Sequence, residues 1–492
     1  MKFIRNININ KYKLYIDIKS KYIINKNGLV FFGNPIFNNL DDINSSNIKS
    51  KIHYISGYFL CLSIKNKKFF IYNDISGNFR LYYRSIKNKI FISDNFKKLF
   101  FGKKLKLDDE QFQFWMKKNY TIGSKSLFDE IKKIPPATKT EILNDKISHS
   151  IYFNSQNSKK NSSLNNDLKE NIKKNLKFIN SNNKKNILLF SGGIDSSLLA
   201  QSLIKNKINF IPIFINSIQK INEIEKNKNI ADKIAHRNNF KLVEIKVDFK
   251  KYNKSKIIKN MLFDFHFSIM HFEGIKIIKK KYGKNINIIC GQSADSIFSY
   301  GATANTLSHF ISRLSFFYNN SLIAYVVKKN LEKKYKTSLI YLNIKKEILF
   351  YFSFYYYLYI EKSLFTKSKN TVKEINSIIK KINNKKDTFM YLKIFGFLQG
   401  SDNQVIINSC KENKINCFLP YLDPQIIYST IQKKNSFRDI FFPKYAINNL
   451  LNNKFRIKKF RYQKFIKNKF LIKDIEKNLK KDFMNTINKL KL

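Results

Sequence analysis

The chain has 492 residues and a formal charge of +57, and hydrophobic residues make up 43% of it. This length suits two or three domains with large cores, and the apolar content argues against an intrinsically disordered protein. Four cysteines without C-x-x-C spacing argue against a disulfide framework and a zinc cluster, and favour a reducing, cytoplasmic location.

The positive charge alone is typical of proteins that bind nucleic acids or anionic membranes. However, only eight of the 92 basic residues are arginine, and the lysines are spread along the chain rather than clustered. The chain is also rich in Asn, Ile, Phe and Tyr, whose codons are AT-rich. These features favour a base-composition bias with solvated lysine side chains. We therefore do not expect a nucleic acid partner, and a polyanion partner is the weaker alternative.

Two segments of the chain bear on membrane association. The first ten residues are polar and no apolar core of a signal peptide follows them. The longest uncharged apolar run, residues 348–360, is too short to span a bilayer and predicts a buried core helix. We therefore expect no membrane span.

Residues 1–154 predict a domain built from short strands. Alternating or apolar runs are separated by turn formers such as Asn73-Asp74 and Ser76-Gly77-Asn78, a spacing that favours an antiparallel sandwich. The polar, low-complexity segment 155–167 predicts a linker. The predicted strands are Leu14–Ile18, Gly28–Phe32, Phe59–Ser63, Phe69–Tyr72, Arg80–Tyr83 and Lys89–Ser93.

Residues 168–492 predict a second domain in which helices alternate with short apolar strands. This alternation indicates right-handed βαβ units and a parallel sheet, and the chain becomes mostly helical from about Leu307. The predicted elements are a helix at Leu168–Phe178, a strand at Ile187–Phe190, a helix to Ile204, a strand at Asn209–Ile215, a helix at Glu223–Arg237 and strands at Leu242–Val247 and Asn285–Ile289.

The stretch 186–199, N-I-L-L-F-S-G-G-I-D-S-S-L-L, reads as a strand, a glycine-rich turn and a helix N-terminus. Such a turn points backbone N–H groups at an anion, and glycine lets the backbone come close to it. Asp195 would repel a phosphate directly, so it is a candidate Mg²⁺ ligand that bridges to phosphate. The alternative is an ordinary turn with a serine cap. The candidate phosphate-binding residues are Ser191, Gly192, Gly193, Asp195 and Ser196.

A second stretch, C-G-Q-S-A-D-S-I-F at 290–298, also follows an apolar strand and opens a predicted helix. Ligands of parallel sheets bind outside the carboxyl ends of the strands, so Asp295 is expected at the same sheet edge as Asp195. Two such carboxylates can share Mg²⁺ and neutralise a departing pyrophosphate. A helix cap is the alternative role of Asp295. Gly291 and Gln292 are further candidate site residues.

These stretches resemble those of a known family. The S-G-G-I-D-S loop resembles the pyrophosphate-binding loop of the ATP pyrophosphatases. Together with G-Q-S-A-D-S-I-F at 291–298 and F-L-P-Y-L-D at 418–423, it resembles the asparagine synthetase family. The family's stretches read close to S-G-G-x-D-S, G-E-G-x-D-E-x-F and P-F-L-D. Further similar positions are Gln399–Asn403, Lys444, Arg456, Lys458 and Arg461.

The N-terminal region is similar to the glutaminase domain of the same family. Gly57-Tyr58-Phe59, residues 74–83 and residues 127–137 are similar to its G-x-F, its D-x-x-G-x-x-P-L-Y-Y and the end of the domain. The resemblance implies an α/β and α+β protein of two domains. An antiparallel, Ntn-like sandwich would precede a doubly wound ATP pyrophosphatase domain with a helical C-terminal part.

Three departures from the family pattern limit what the resemblance implies. The family's glutaminase nucleophile is a cysteine at position 2, whereas this chain has Lys2 there and Cys61 inside a predicted strand. Glutamine hydrolysis is therefore expected to be lost. Gln292 stands where the family's G-E-G has its acidic residue, and an amide cannot take up a proton at neutral pH. Ser296 replaces the later glutamate of that motif.

The resemblance implies a ligase that uses ATP and Mg²⁺, the metal being held by Asp195 and Asp295. A small-molecule or peptide carboxylate would form an acyl-adenylate with release of pyrophosphate, and an amine or ammonia would then displace AMP. Lys444 would stabilise the developing charge. Relatives without the cysteine include β-lactam synthetases and lasso peptide cyclases. A homodimer is a further expectation.

Two alternatives stay open at this point. Lysidine and thiouridine synthetases carry the same loop, so a tRNA-modifying enzyme is one of them, and the net charge would suit it. A catalytically degenerate binding protein is the other, and it is favoured by Lys2, Gln292 and Ser296.

Overall fold

The computed structural model describes about two thirds of the chain, with the largest gap at 299–368. The apolar run 348–360 and the expected helical region after Leu307 therefore lie mainly outside the described residues. Within those residues, no helix is long and apolar enough to cross a membrane. The described ranges are 5–9, 12–18, 23–26, 28–37, 42–65, 68–101, 105–118, 120–121, 123–143, 146–157, 163–251, 268–298, 369–382, 403–432 and 444–456, with single residues or pairs between 387 and 395 and between 477 and 485.

The described protein is a mixed α/β structure that contains antiparallel and parallel sheets. Eleven described strands precede residue 155. They are β1 (Arg5–Ile9), β2 (Tyr12–Asp17), β3 (Ile23–Lys26), β4 (Leu29–Ile36), β5 (Ser56–Lys65), β6 (Lys68–Asn73), β7 (Tyr82–Ile86), β8 (Lys89–Ser93), β9 (Lys132–Lys133), β10 (Thr138–Leu143) and β11 (Lys146–Ile151).

These strands form two sheets, in the orders β1-β2-β8-β7-β9 and β11-β10-β6-β5-β4-β3. The expected antiparallel pairing is wrong for β2 and β8, which run parallel. Leu14 and Ile16 of β2 lie in the same buried cluster as Phe69 and Ile71 of β6, so apolar faces of both sheets contribute to one core.

The strand predicted at Arg80–Tyr83 begins later, at Tyr82. The cause is the buried carboxylate of Asp74, which accepts hydrogen bonds from the backbone N–H groups of Ser76 at 2.9 Å and Phe79 at 3.0 Å. These bonds hold residues 74–79 in a turn, which we call the Asp74 turn, and keep the chain out of the sheet until it ends.

A third, parallel sheet of five strands lies in the region after residue 163, in the order β14-β13-β12-β15-β16. The order reverses between the adjacent strands β12 and β15, so the loops that follow these two strands leave the same edge side by side. The strands are β12 (Lys185–Leu189), β13 (Ile211–Ser217), β14 (Val243–Val247), β15 (Ile286–Ile289) and β16 (Asn416–Phe418).

Helices flank the sheets, and several agree with the sequence prediction to within a few residues. They are α1 (Ile48–Lys51), α2 (Asp109–Lys118), α3 (Leu164–Asn180), α4 (Ile194–Lys205), α5 (Asn222–Arg237), α6 (Ile269–Tyr282), α7 (Ala294–Phe298), α8 (Lys369–Lys381), α9 (Gln404–Asn413), α10 (Pro424–Gln432) and α11 (Tyr445–Leu450). Short 3₁₀ turns lie at Ile52–Tyr54, Phe96–Leu99 and Ser155–Asn157.

The expected linker, 155–167, is ordered at both ends. Ser155 is buried and donates its hydroxyl to Asp387, and α3 begins at Leu164 with the Ser163 hydroxyl as its cap. A serine cap five residues ahead of the predicted helix start explains the longer helix. One buried apolar cluster includes side chains from both predicted domains, so the two regions pack against each other.

Candidate functional site

The loop between β12 and α4 has the form expected of an anion cradle. Gly192 has φ +72, and a Cβ there would lie 2.8 Å from the backbone nitrogen of Ala231 in α5. Only glycine fits both the left-handed conformation and this close contact. Ser191 is exposed, and its hydroxyl accepts from Gly193 N at 3.3 Å, while the Ser196 hydroxyl donates to Gly193 O at 3.1 Å.

The loop after β15 packs directly against the start of α4. A Cβ on Gly291 would lie 3.0 Å from Asp195 Cβ and 3.1 Å from Ser196 N, so glycine is needed for the two loops to touch. Ser293 has φ +81, an unusual conformation for a residue with a side chain. Its hydroxyl donates to Asn403 Oδ1 at 2.6 Å, which ties this loop to the start of α9.

Three side chains from three elements meet where these loops end. Asp195 lies in the first turn of α4 and Asp295 in the first turn of α7. Lys444 immediately precedes α11, and its Nζ lies 2.5 Å from a carboxylate oxygen of each aspartate. The predicted metal ligands and the predicted catalytic lysine are therefore in direct contact.

Electrostatics keep this Lys444 side chain charged. Burial disfavours the ammonium, but the carboxylates of Asp195 and Asp295 outweigh that effect and raise the pKa of Lys444 above its ordinary value. The side chains are 14% exposed for Lys444, 18% for Asp195 and 34% for Asp295, so Asp295 is the most open of the three to solvent.

The position of Lys444 depends on its backbone and on the helix behind it. Its φ of +59 is left-handed, a conformation that tertiary contacts must hold in place for a residue other than glycine. Gln201 of α4 anchors the end of the helix that follows Lys444, because its side-chain amide donates to Leu450 O at 2.8 Å and accepts from Asn452 N at 2.8 Å. The helix that carries Asp195 and the helix that follows Lys444 are thus held together.

Tyr421 is a site residue that sequence reasoning missed. The resemblance placed it inside the F-L-P-Y-L-D stretch without giving it a role. Its side chain is fully buried, and its hydroxyl donates to Asp195 O at 2.9 Å. Burial, reinforced by the charge of Asp195, raises the pKa of this phenol, so it remains a neutral hydrogen-bond donor.

Asp423 of the same stretch faces away from the site. Its carboxylate accepts from Ser56 Oγ at 2.6 Å and from Asn175 Nδ2 at 3.1 Å. Gln292 is half-buried in the loop that precedes Asp295, and Ser296 is buried, with its N–H bonded to Ser293 O at 3.0 Å. Of the remaining resemblance positions, Arg456 is described, whereas Lys2, 399–402, Lys458 and Arg461 lie outside the described residues.

The donor set of the site is compatible with Mg²⁺. Carboxylate oxygens are the ligands that this ion prefers, and Asp195 and Asp295 are close enough to share one ammonium group. In the described part of the chain, no group of three or more His, Cys, Asp or Glu side chains could hold a metal ion. A metal at this position would therefore need oxygen ligands from a bound phosphate as well.

Cys61 lies in β5 and is buried with no exposed surface. Burial raises the pKa of its thiol, which disfavours the nucleophilic thiolate. Cys61 thus lacks the exposure and the charge state of a glutaminase nucleophile.

In the comparisons with known proteins, no family model matches this chain, and no curated protein matches it significantly.

Proposed function

We propose that this protein is an ATP-dependent, amide-forming ligase of the asparagine synthetase type that does not hydrolyse glutamine itself. The observation that carries the proposal is the meeting of Asp195, Asp295 and Lys444 at the carboxyl edge of a parallel sheet. Each of these residues was selected from a separate stretch of sequence, and the stretches lie as far as 249 positions apart.

The proposed architecture is an Ntn-like domain at 1–154 followed by a doubly wound ATP pyrophosphatase domain at 168–492. The strand order β14-β13-β12-β15-β16, which reverses beside β12, supports the doubly wound description. The two sheets before residue 155, which share a core, support the sandwich.

In the proposed reaction, the ATP phosphates bind on Ser191–Ser196, where backbone N–H groups and the α4 dipole favour negative charge. Mg²⁺ held by Asp195 and Asp295 would neutralise charge on the departing pyrophosphate. A substrate carboxylate attacks the α-phosphorus, the bond to pyrophosphate breaks, and an amine or ammonia then displaces AMP to form the amide.

Lys444 has two roles in this proposal. Without nucleotide it neutralises both aspartates, which would otherwise repel each other. When the triphosphate arrives, its ammonium stabilises negative charge on the phosphate and on the tetrahedral intermediate. Gln292 cannot act as a base, so the attacking amine must arrive unprotonated or lose its proton to another group.

The test is the identity of the ATP products. The protein is incubated with ATP labelled at the α-phosphate, Mg²⁺, mixed carboxylic acids and hydroxylamine, an amine that traps acyl-adenylates. We expect AMP, pyrophosphate and a hydroxamate, and Asp195→Ala should abolish all three. Formation of ADP, or an Asp195→Ala variant with unchanged activity, would contradict the proposal.

A second candidate is a non-catalytic binding protein. Its specific support is that Lys444 already pairs with both carboxylates, as in a purely structural ion-pair cluster, and that Gln292 replaces an acid. This candidate predicts that no ATP is cleaved with any carboxylate and amine. A tRNA-modifying enzyme has no comparable support in the described residues.

A further inference from the structure

The N-terminal region, residues 5–157, contacts both loops that carry the candidate site. The first contact is made by β5. Gly57 N donates to Leu422 O at 2.9 Å, and the Ser56 hydroxyl donates to Asp423 at 2.6 Å. Tyr421 of the same loop donates its hydroxyl to Asp195 O. A continuous path therefore runs from β5 through residues 421–423 to the helix turn that carries Asp195.

The second contact is made by the Asp74 turn. Asn78 in this turn accepts two hydrogen bonds from Gln404 Nε2, at 2.9 Å to its backbone oxygen and 3.1 Å to Oδ1. The preceding residue, Asn403, accepts the Ser293 hydroxyl. Ser293 lies two residues before Asp295, so this path ends at the other carboxylate of the pair.

Both paths are built from groups that are almost completely removed from water. Ser56, Asn78, Ser293, Gln404 and Asp423 are each at most 2% exposed. Water cannot replace a hydrogen bond lost at such a depth without a rearrangement. The left-handed backbone of Ser293 also needs support from its surroundings. Buried hydrogen bonds of this kind hold the groups they join in fixed positions, unlike contacts at the surface.

We infer that the N-terminal region positions the two site carboxylates, Asp195 through Ser56 and the 421–423 loop, and Asp295 through Gln404, Asn403 and Ser293. These are positioning residues, since each of them acts on Asp195 or Asp295 through other groups of the protein. The functional consequence rests on the proposed ATP site, whereas the positioning itself is a property of the two loops. It gives a reason for keeping a glutaminase-like domain that has Lys2 in place of the nucleophile.

The experiment breaks each path in the full-length protein. Gln404→Met keeps the length of the side chain and removes both bonds to Asn78, and Ser56→Ala removes the bond to Asp423. Ser409→Ala is the matched control, because Ser409 is buried in α9 and, among the described residues, its hydroxyl donates to Val405 O of its own helix rather than to either path. MgATP affinity is measured by calorimetry, and amide hydrogen exchange is measured for peptides covering 291–298 and 419–423.

We expect Gln404→Met and Ser56→Ala each to weaken MgATP binding roughly tenfold, the effect of losing buried hydrogen bonds at a preorganised site. Exchange should accelerate at 291–298 in the first variant and at 419–423 in the second, while Ser409→Ala behaves as the parent protein. Parent-like affinity and exchange in both path variants would overturn the inference.

Two further outcomes are distinguishable. A parent protein that does not bind MgATP contradicts the proposed function, and the exchange measurement still decides the positioning. If Gln404→Met does not fold, Ser293→Ala breaks the same path at its other end and is judged by the same exchange criterion. Lower stability with unchanged local exchange would show a merely structural role and would also overturn the inference.

Discussion

At the scale of single residues, Lys444 determines how two carboxylates can lie close together in a mostly buried site. Its ammonium is 2.5 Å from both Asp195 and Asp295, and their combined field raises its pKa. A raised lysine pKa contributes stability that is present below the unfolded value, about 10.4, and is lost only as the pH rises beyond it. The cluster is therefore unaffected by lysine titration throughout the neutral range.

Lys444→Met should make the stability of the protein depend on a metal ion bound at this cluster. Removing the ammonium leaves two carboxylates facing each other, which should lower the free energy of unfolding by about 2–4 kcal/mol in EDTA. Millimolar Mg²⁺ should recover part of that loss, whereas the parent protein should respond little. Urea unfolding with EDTA or Mg²⁺ measures both effects.

Lys106→Met is the control for this prediction. Lys106 also pairs with a carboxylate, that of Asp129 at 3.8 Å, but the side chains are 81% and 44% exposed. Exposed pairs contribute little to stability, so this variant should resemble the parent in both solutions. Equal Mg²⁺ responses of Lys444→Met and the parent would show that the carboxylates are not a cation site.

Neighbouring residues show the limit of sequence reasoning at this scale. The resemblance treated Tyr421 and Asp423 as one motif, but Tyr421 bonds to Asp195 whereas Asp423 bonds to Ser56 and Asn175. Backbone bonds from Leu422 N to Leu419 O and from Asp423 N to Tyr421 O fold this segment into a tight turn. A sequence pattern gives residue types and spacing, whereas side-chain direction depends on such a turn and on its packing.

At the scale of elements, the strands that border the site were predictable because they are apolar and short. The predictions for β12, β13, β14 and β15 lie within two residues of the observed bounds. β16 was not predicted, because three residues beginning with Asn416 carry no periodic signal. Its place is fixed by tertiary contacts, including a bond from Asn416 Nδ2 to Asn287 Oδ1 on β15 at 3.1 Å.

The glycine-rich loop provides a test at this scale. Gly192→Ala should destabilise the protein by about 2–4 kcal/mol, since it combines a left-handed backbone with a contact that must be pushed apart. Gly28→Ala is a matched control, because Gly28 has φ +78 but nothing lies within 4 Å of a Cβ there. We expect the control variant to lose about 1 kcal/mol of stability.

Chemical denaturation of the two glycine variants separates the cost of the left-handed backbone from the cost of the close contact. The difference between them measures how tightly the loop packs against Ala231. Equal losses would mean that the loop can move away from α5 at no cost, which would contradict a rigid phosphate cradle.

At the scale of the whole molecule, the sequence predicted two regions and their approximate boundary but not how closely they join. The composition change at 155–167 indicated a linker, whereas Ser155 is buried and one apolar cluster extends across both regions. Contacts between residues hundreds of positions apart, such as His53 with Tyr428, leave no periodic trace in the sequence. Spacing alone could not reveal them.

His53 makes this contact between the regions sensitive to acid. It is buried, and its Nδ1 lies 2.9 Å from the Tyr428 hydroxyl. Burial lowers the pKa of His53 to about 4. The unfolded chain binds a proton at about pH 6.5. The unfolded state therefore holds more protons between these values, and stability is lost as the pH falls from about 6.5 to about 4.

His53→Gln should remove this contribution while keeping a polar group for Tyr428. Over that pH range, the unfolding free energy of the parent should fall by on the order of 3 kcal/mol more than that of the variant. Urea titrations at pH 6.5 and pH 4.5 give the change in unfolding free energy with pH for the parent and for the variant. Coincident pH dependences would show that His53 takes up its proton at the same pH in the folded protein as in the unfolded chain.

The measurement that tests the central claim most directly is a calorimetric titration of the full-length protein with ATP, with and without Mg²⁺. Asp195→Asn is titrated in parallel, with Ser409→Ala as the control variant. The account predicts that ATP binds in a Mg²⁺-dependent manner to the parent and to Ser409→Ala, and at least tenfold more weakly to Asp195→Asn. No binding by the parent under either condition would contradict it.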